Sequence, residues 1–164
     1  TTSLDYMEAE IVGISLALNV KESFYIPLLH EDNSKYKQLN IDYVLNKFKP
    51  LLESKNINKL GHNLKYDRNV LLNYNIVLNA IAHDSMLLSY VHDPTAIRHG
   101  LDNAAEKYLS YSTIHYEDVA GKGAKQIPFS QVDIEVAAKY ACEDSIVSYE
   151  LYNYLWEKSQ RIKA

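Results

Sequence analysis

The spacing of apolar residues divides the chain into a β-rich opening and a helix-rich remainder. Residues 10 to 19 (Glu-Ile-Val-Gly-Ile-Ser-Leu-Ala-Leu-Asn) mix β-branched and other apolar side chains and predict a strand. Ser23 to Leu29 predicts a second, and Val20 to Glu22 between them makes a hairpin. His30 to Asn40 is polar and loop-like. Val44, Leu45, Phe48, Leu51 and Leu52 then recur at helical spacing over Ile41 to Leu52, with Asn40 as the expected cap. Ile57 to Leu60 is a short apolar run, expected to be a buried strand, and Ile76 to Ile81 is expected to be another. Helices are predicted over His83 to Tyr90, stopping before Asp93-Pro94, and over Leu101 to Leu109. Tyr111 to Pro128 reads as irregular. The pattern Ser130-x-x-Asp133 resembles a capping box and opens a long helix reaching about Lys158. Strands first and helices around them predict an α/β or α+β domain in layers.

Two acids interrupt this pattern. In a helix running from Leu64 to Tyr74, capped by Asn63 after the turn residue Gly61, the residues Leu64, Asp67, Leu71 and Tyr74 fall on one side. Asp67 is thus expected on an apolar face, where an ionised carboxylate is costly unless compensated. On the last predicted helix Val132, Val136, Tyr140, Asp144, Val147, Leu151 and Leu155 share an arc of about 140°. Asp144 lies in the middle of that arc, with Tyr140 one turn before it. A core-facing carboxylate is explained by a salt bridge, by a cap to another element, or by a metal. No Arg or Lys shares the arc.

Composition narrows the choice only a little. At 164 residues, with 47% hydrophobic and 23% charged residues, the chain is an ordinary globular domain, taken as one unit over 1–164. No window approaches roughly 18 consecutive apolar residues, so no membrane partner is expected. A single cysteine, Cys142, excludes an internal disulfide and fits the cytoplasm. A net charge of −4 argues against a surface that coats nucleic acid, but not against a local site where metal ions meet a phosphate. The six histidines show no zinc spacing, and oxygen-only ligation selects Mg²⁺ or Mn²⁺. Hard cations held by a few carboxylates usually work on phosphates. The Val-Ala-Gly-Lys-Gly turn at Val119–Gly123 lacks the spacing and the preceding strand of a P-loop.

The two acid-bearing segments, Gly61-His-Asn-Leu-Lys-Tyr-Asp67 and Tyr140-Ala-Cys-Glu-Asp144, resemble the second and third exonuclease motifs of the 3′–5′ proofreading domain of bacterial family A DNA polymerases. The resemblance extends through Thr1-Thr-Ser-Leu-Asp5, Ile11-Val-Gly-Ile-Ser15, Arg98-His99 and Val119–Gly123, and so covers the chain. It implies an RNase H-like α/β fold, a mixed central sheet flanked by helices. It also implies two divalent ions, held by four acids, that cleave the terminal phosphodiester of a single-stranded 3′ end and release a nucleoside monophosphate. In that reading Asp67 and Asp144 are catalytic metal ligands and Tyr140 orients the attacking water. Leu4 is a wedge at the terminal bases and Tyr116 packs against the strand. Asn63, Tyr66 and Arg98 line the groove, with Thr1 a further DNA contact. A polymerase domain in the same longer chain is the expected partner.

The first motif of that family, an Asp-x-Glu on the first central strand, would stand immediately before Thr1 and is not in this sequence. The expectation is therefore a truncated domain without its first central strand. It would bind metal weakly and show little or no nuclease activity by itself. Two alternatives stay open: a non-catalytic scaffold domain of a polymerase, and a ribonuclease D-like exoribonuclease, which shares the Tyr-bearing third motif.

Overall fold

The computed structural model describes residues 1–32, 34–96 and 98–162. Strands β1 (Gly13–Asn19) and β2 (Glu22–Pro27) form the predicted antiparallel hairpin, with Gly13 opposite Pro27 and Ser15 opposite Tyr25. Glycine is required at position 13, because a Cβ there would stand 2.2 Å from the Tyr25 hydroxyl that crosses it. That hydroxyl lies 2.7 Å from His30 Nε2, whose Nδ1 is 3.0 Å from the carbonyl of Val132, so the hairpin is tied to the start of the last helix.

Helix α1 (Ile41–Glu53) begins where expected, with Asn40 accepting a hydrogen bond from the Tyr43 amide at 3.0 Å. Val44 and Leu45 bury into one core with Ile11, Val70, Leu71, Ile76 and Leu78. Leu51, placed on the same face by periodicity, is instead exposed.

Strands β3 (Lys59–Gly61) and β4 (Ile81–Asp84) pair in parallel and are joined through helix α2 (Leu64–Leu72), a right-sized crossover. The strand expected over Ile76 to Ile81 starts only at Ile81. Residues 76 to 80 carry no regular structure, Ala80 being left-handed (φ 52°), and Ile76 and Leu78 fill the core rather than a ladder. Helix α3 (Ser85–His92) starts two residues later than predicted, after its cap Asp84. Helix α4 (Leu101–Ala104) continues into a π-helical turn (Ala105–Leu109). The stretch expected to be irregular contains a short helix, α5 (Tyr116–Ala120), and a 3₁₀ turn (Gly123–Lys125), and a second 3₁₀ turn (Phe129–Gln131) follows it.

The last helix, α6 (Ile134–Ile162), is the platform for everything else: both β-ladders, α3 and the α4 segment pack on it. Val132, Ala137, Val147, Leu151 and Leu155 are buried along it, whereas Val136 is exposed and Ala137 takes the inward place. Its cap is Asp133 alone, whose Oδ1 accepts from the amides of Glu135 (2.9 Å) and Val136 (3.2 Å). Ser130 does not cap the helix, because its hydroxyl is turned to Glu31. Asp133→Ala is therefore expected to cost about 1 kcal/mol, lowering the melting temperature by roughly 3 °C. Ser130→Ala should leave it nearly unchanged, and thermal unfolding of the two variants side by side checks the assignment.

The sheet is mixed but not continuous. Among the described residues the strands form two ladders, β1–β2 antiparallel and β3–β4 parallel, both seated on α6. Two separate two-stranded ladders leave unpaired strand edges. No helix among the described residues is long and apolar enough to cross a membrane.

Candidate active site

The first half of the site is built on α2. Gly61 ends β3 tightly against the helix, since a Cβ there would meet the Leu64 side chain at 2.7 Å. Asn63 occupies the cap position in a left-handed conformation (φ 62°), which asparagine tolerates, but its side chain caps nothing. The capping group is Asp84, from the end of the neighbouring strand. Its carboxylate accepts from the amides of Asn63 (3.0 Å) and Leu64 (2.7 Å) and, at the other helix, from Met86 (2.9 Å). One buried carboxylate thus satisfies the starts of both α2 and α3, where unpaired amides and the helix dipoles favour negative charge.

The opening residues run along α2 and are held to it. Tyr66 donates its hydroxyl hydrogen to the Ser3 carbonyl, and the same oxygen lies 2.7 Å from the Thr1 hydroxyl. Asn73 donates to the Tyr6 carbonyl at 2.7 Å. This leaves Leu4 on the surface, 95% exposed, at the Tyr66–Asp67 end of the helix. Asp67 itself is not packed against apolar neighbours as its periodicity predicts; its residue surface is exposed. Yet surrounding protein displaces enough water to push its carboxyl up to about 6, with Asp84 adding to the effect and the Thr1 amino group opposing it. Asp67 therefore faces water rather than the core.

The second half is built on α6. Asp144 is half-buried, its Oδ1 is fully enclosed, and no hydrogen-bond partner for that atom exists among the described residues. Burial pushes its carboxyl up to about 7, the Tyr140 hydroxyl counteracts this, and the charges of Asp102 and Glu143 add to it. Burial, then the Asp144 charge, raises the Tyr140 phenol well above its ordinary range. At neutral pH Tyr140 is therefore a hydrogen-bond donor and not a base. Tyr116, 37% exposed, stands edge-on to Tyr140 with ring centres 6.2 Å apart, and Phe129 lies 6.1 Å from Tyr140.

Neither Asp67 nor Asp144 forms a salt bridge among the described residues. Both carboxyls are raised, and Asp144 has an enclosed oxygen without a partner among the described residues and acidic neighbours. No set of three or more His, Cys, Asp or Glu side chains among the described residues is arranged to hold a metal alone. Half-buried His62 has its Nδ1 2.9 Å from the Ser85 hydroxyl, and the charges of both Asp84 and Asp102 act on it. Arg98 is exposed beside buried His99, and the structure joins it to neither half.

Sequence reasoning passed over three acids. Asp84 immediately precedes the apolar run Ser-Met-Leu-Leu, a cap signal legible in the chain. Asp102 and Glu143 carried none, because their partners lie in a segment read as irregular.

The raised carboxyls have a consequence for stability. An acid whose pKa is higher folded than unfolded contributes fully below its unfolded value of 3.8, and that contribution is lost as pH rises through about 7. Without divalent ions, wild type and Asp144→Asn should therefore melt together near pH 4. The variant should melt higher by pH 8, on the order of 5 °C. A constant difference across that range would mean that Asp144 is not held out of water.

The architecture, two small β-ladders seated on one long helix, is that of a mixed α/β domain. The family described as 3′–5′ exonuclease matches residues 1–160, and the chain belongs to it. It is the type of exonuclease domain found in DNA polymerase I: it is 48% identical to DNA polymerase I of Pseudomonas aeruginosa over 99% of this chain and 18% of that protein. It is 38% identical to DNA polymerase I of Rhizobium leguminosarum over 93% of this chain and 16% of that one. The chain thus spans less than a fifth of these curated relatives. Among solved structures, M. smegmatis Pol1 in complex with DNA primer-template and dNTP superposes with a TM-score of 0.66 at 16% identity, covering 93% of this chain and 22% of that one. Brucella melitensis NrnC with bound Mg²⁺ gives 0.52 at 16% identity over 92% and 72%, which supports the shared fold. Family and fold together point to divalent metal.

Proposed function

We propose that these residues form the catalytic half-site of a proofreading exonuclease acting in the cytoplasm on the single-stranded 3′ end of DNA, within a chain that also carries a polymerase domain. Asp67 and Asp144 would each hold divalent metal, Mg²⁺ or Mn²⁺, with two ions in the complete site. When bound, such ions would supply the means to activate a water and to stabilise the leaving oxygen. Tyr140, un-ionised, orients that water by hydrogen bonding. Thr1, Leu4, Asn63 and Tyr66 on one side and Tyr116 on the other would embrace the terminal nucleotides, with Arg98 beside the groove. Stacking on exposed aromatic rings is worth about 1–3 kcal/mol per base and reads no sequence, which suits recognition of a frayed end.

The observation that carries this reading is the enclosed, unpartnered Oδ1 of Asp144, one helical turn from Tyr140 and without a basic partner. The described residues supply two of the four acids that the family resemblance calls for, so the test belongs to the longer parent chain. That chain, given a 3′-labelled single-stranded DNA and Mg²⁺ or Mn²⁺, should release nucleoside monophosphates and should stop when EDTA is added. No release with either ion would overturn the proposal in favour of a scaffold domain. Faster digestion of a matched RNA than of DNA would favour the exoribonuclease reading.

A further inference from the structure

The segment between the π-helical turn and α5 runs past both halves of α6 with little secondary structure, yet it is anchored at nearly every residue. Tyr111 donates its hydroxyl hydrogen to Glu143 Oε1 at 2.6 Å, and the Ile114 amide donates to Glu143 Oε2, also at 2.6 Å. Buried Thr113 donates to Asp102 Oδ1 at 2.8 Å, and His115 Nδ1 meets Asp102 Oδ2 at 3.1 Å. Two carboxylates from two different helices therefore hold four of five consecutive residues. The strap enters from Ser110, a left-handed residue (φ 53°), and ends in His115, which caps α5 reciprocally with Asp118 at 3.0 Å. The next residue is Tyr116, whose ring abuts both Tyr140 and Phe129.

We propose that Asp102 is a positioning residue of the nuclease site, pinning the Tyr111–His115 strap so that Tyr116 is held against Tyr140 ready to receive the terminal base. This rests on the exonuclease reading given above. Both oxygens of Asp102 accept from side-chain donors, so the carboxylate cannot be exchanged for an amide without turning an NH₂ group toward Thr113 or His115. It stands close enough to Tyr140 and Asp144 for both to feel its charge. Asp102 touches no reacting atom in this arrangement; it acts through the strap.

The test uses the intact parent chain and a single-stranded DNA with 2-aminopurine as its 3′-terminal base, whose fluorescence is quenched on stacking. Losing a hydrogen bond to a charged group costs about 1.5–3 kcal/mol, so Asp102→Asn should raise KM roughly tenfold or more. It should weaken the binding-induced quench, with kcat changed less than about twofold. Thr113→Val, nearly isosteric, should move the same two readouts in the same direction, and the double variant should be no worse than Asp102→Asn alone. If Asp102→Asn does not fold, Thr113→Val decides the matter by itself. Wild-type KM and quench in Thr113→Val, or a loss confined to kcat with the quench intact, would overturn the inference. Such a result leaves the exonuclease reading standing as long as the wild-type parent chain digests the substrate; inactivity of that wild type would instead refute the reading underneath.

Discussion

Replacing Asp144 with asparagine in the full-length parent chain is expected to abolish 3′-end digestion while making the metal-free protein more stable at pH 8. The two effects have one cause. The carboxyl is pushed up to about 7 because burial and the neighbouring charges of Asp102 and Glu143 oppose its ionisation, and its Oδ1 has no partner among the described residues. Neutralising it relieves that cost in the apo state. It also removes a charge that would hold a cation whose electrostatic contribution to a phosphoryl transition state is worth several kcal/mol. At about 1.4 kcal/mol per decade, the loss of activity should reach roughly a thousandfold. Single-turnover digestion and melting curves on the same preparation check both. A variant that keeps activity within tenfold of wild type would mean that the enclosed oxygen waits for something other than a metal. Tyr140→Phe should fall less far, on the order of tenfold to a hundredfold, because it loses an orienting hydrogen bond and not a ligand.

Asp84→Ala is expected to have the largest effect on folding of any single exposed-to-solvent or buried acid in the chain. Four amides depend on that carboxylate: Asn63 and Leu64 at the start of α2, Met86 and Leu87 at the start of α3. A buried amide left without a partner costs about 1–3 kcal/mol, and water entering the vacated space will recover part of it. A net loss of about 3–4 kcal/mol, or roughly 10 °C in melting temperature, follows. Because α2 carries Asp67, the parent chain should also lose activity disproportionately, on the order of a hundredfold, since small misplacements of a ligand are expensive. Asp84→Asn retains one acceptor oxygen and should lie between. Equal stability of wild type and Asp84→Ala by thermal and denaturant unfolding would refute the shared-cap assignment.

Much of the fold could be read from local patterns. The hairpin follows from alternation, α1 from its spacing and the Asn40 cap, and α6 from an apolar arc broken only by Tyr140 and Asp144. The misplacements share an origin. Asn63 was expected to cap α2 because cap preference is a property of a residue and its next few neighbours. Asp84, twenty-one positions away, took that role once parallel pairing set Gly61 opposite it. Ser130 lost its expected role in the same way, to a distant Glu31.

What the chain order alone determined is therefore the set of amphipathic elements and the two acids that interrupt them, since periodicity and cap chemistry act over a few residues. The tertiary structure decided the rest. It set Asp67 on the surface instead of in the core, divided the strands into two ladders on α6, and strung residues 111 to 115 between Asp102 and Glu143. Each of those outcomes depends on which surfaces meet when the helices pack. Partners brought together across tens of residues leave no period in the sequence for a reader to find.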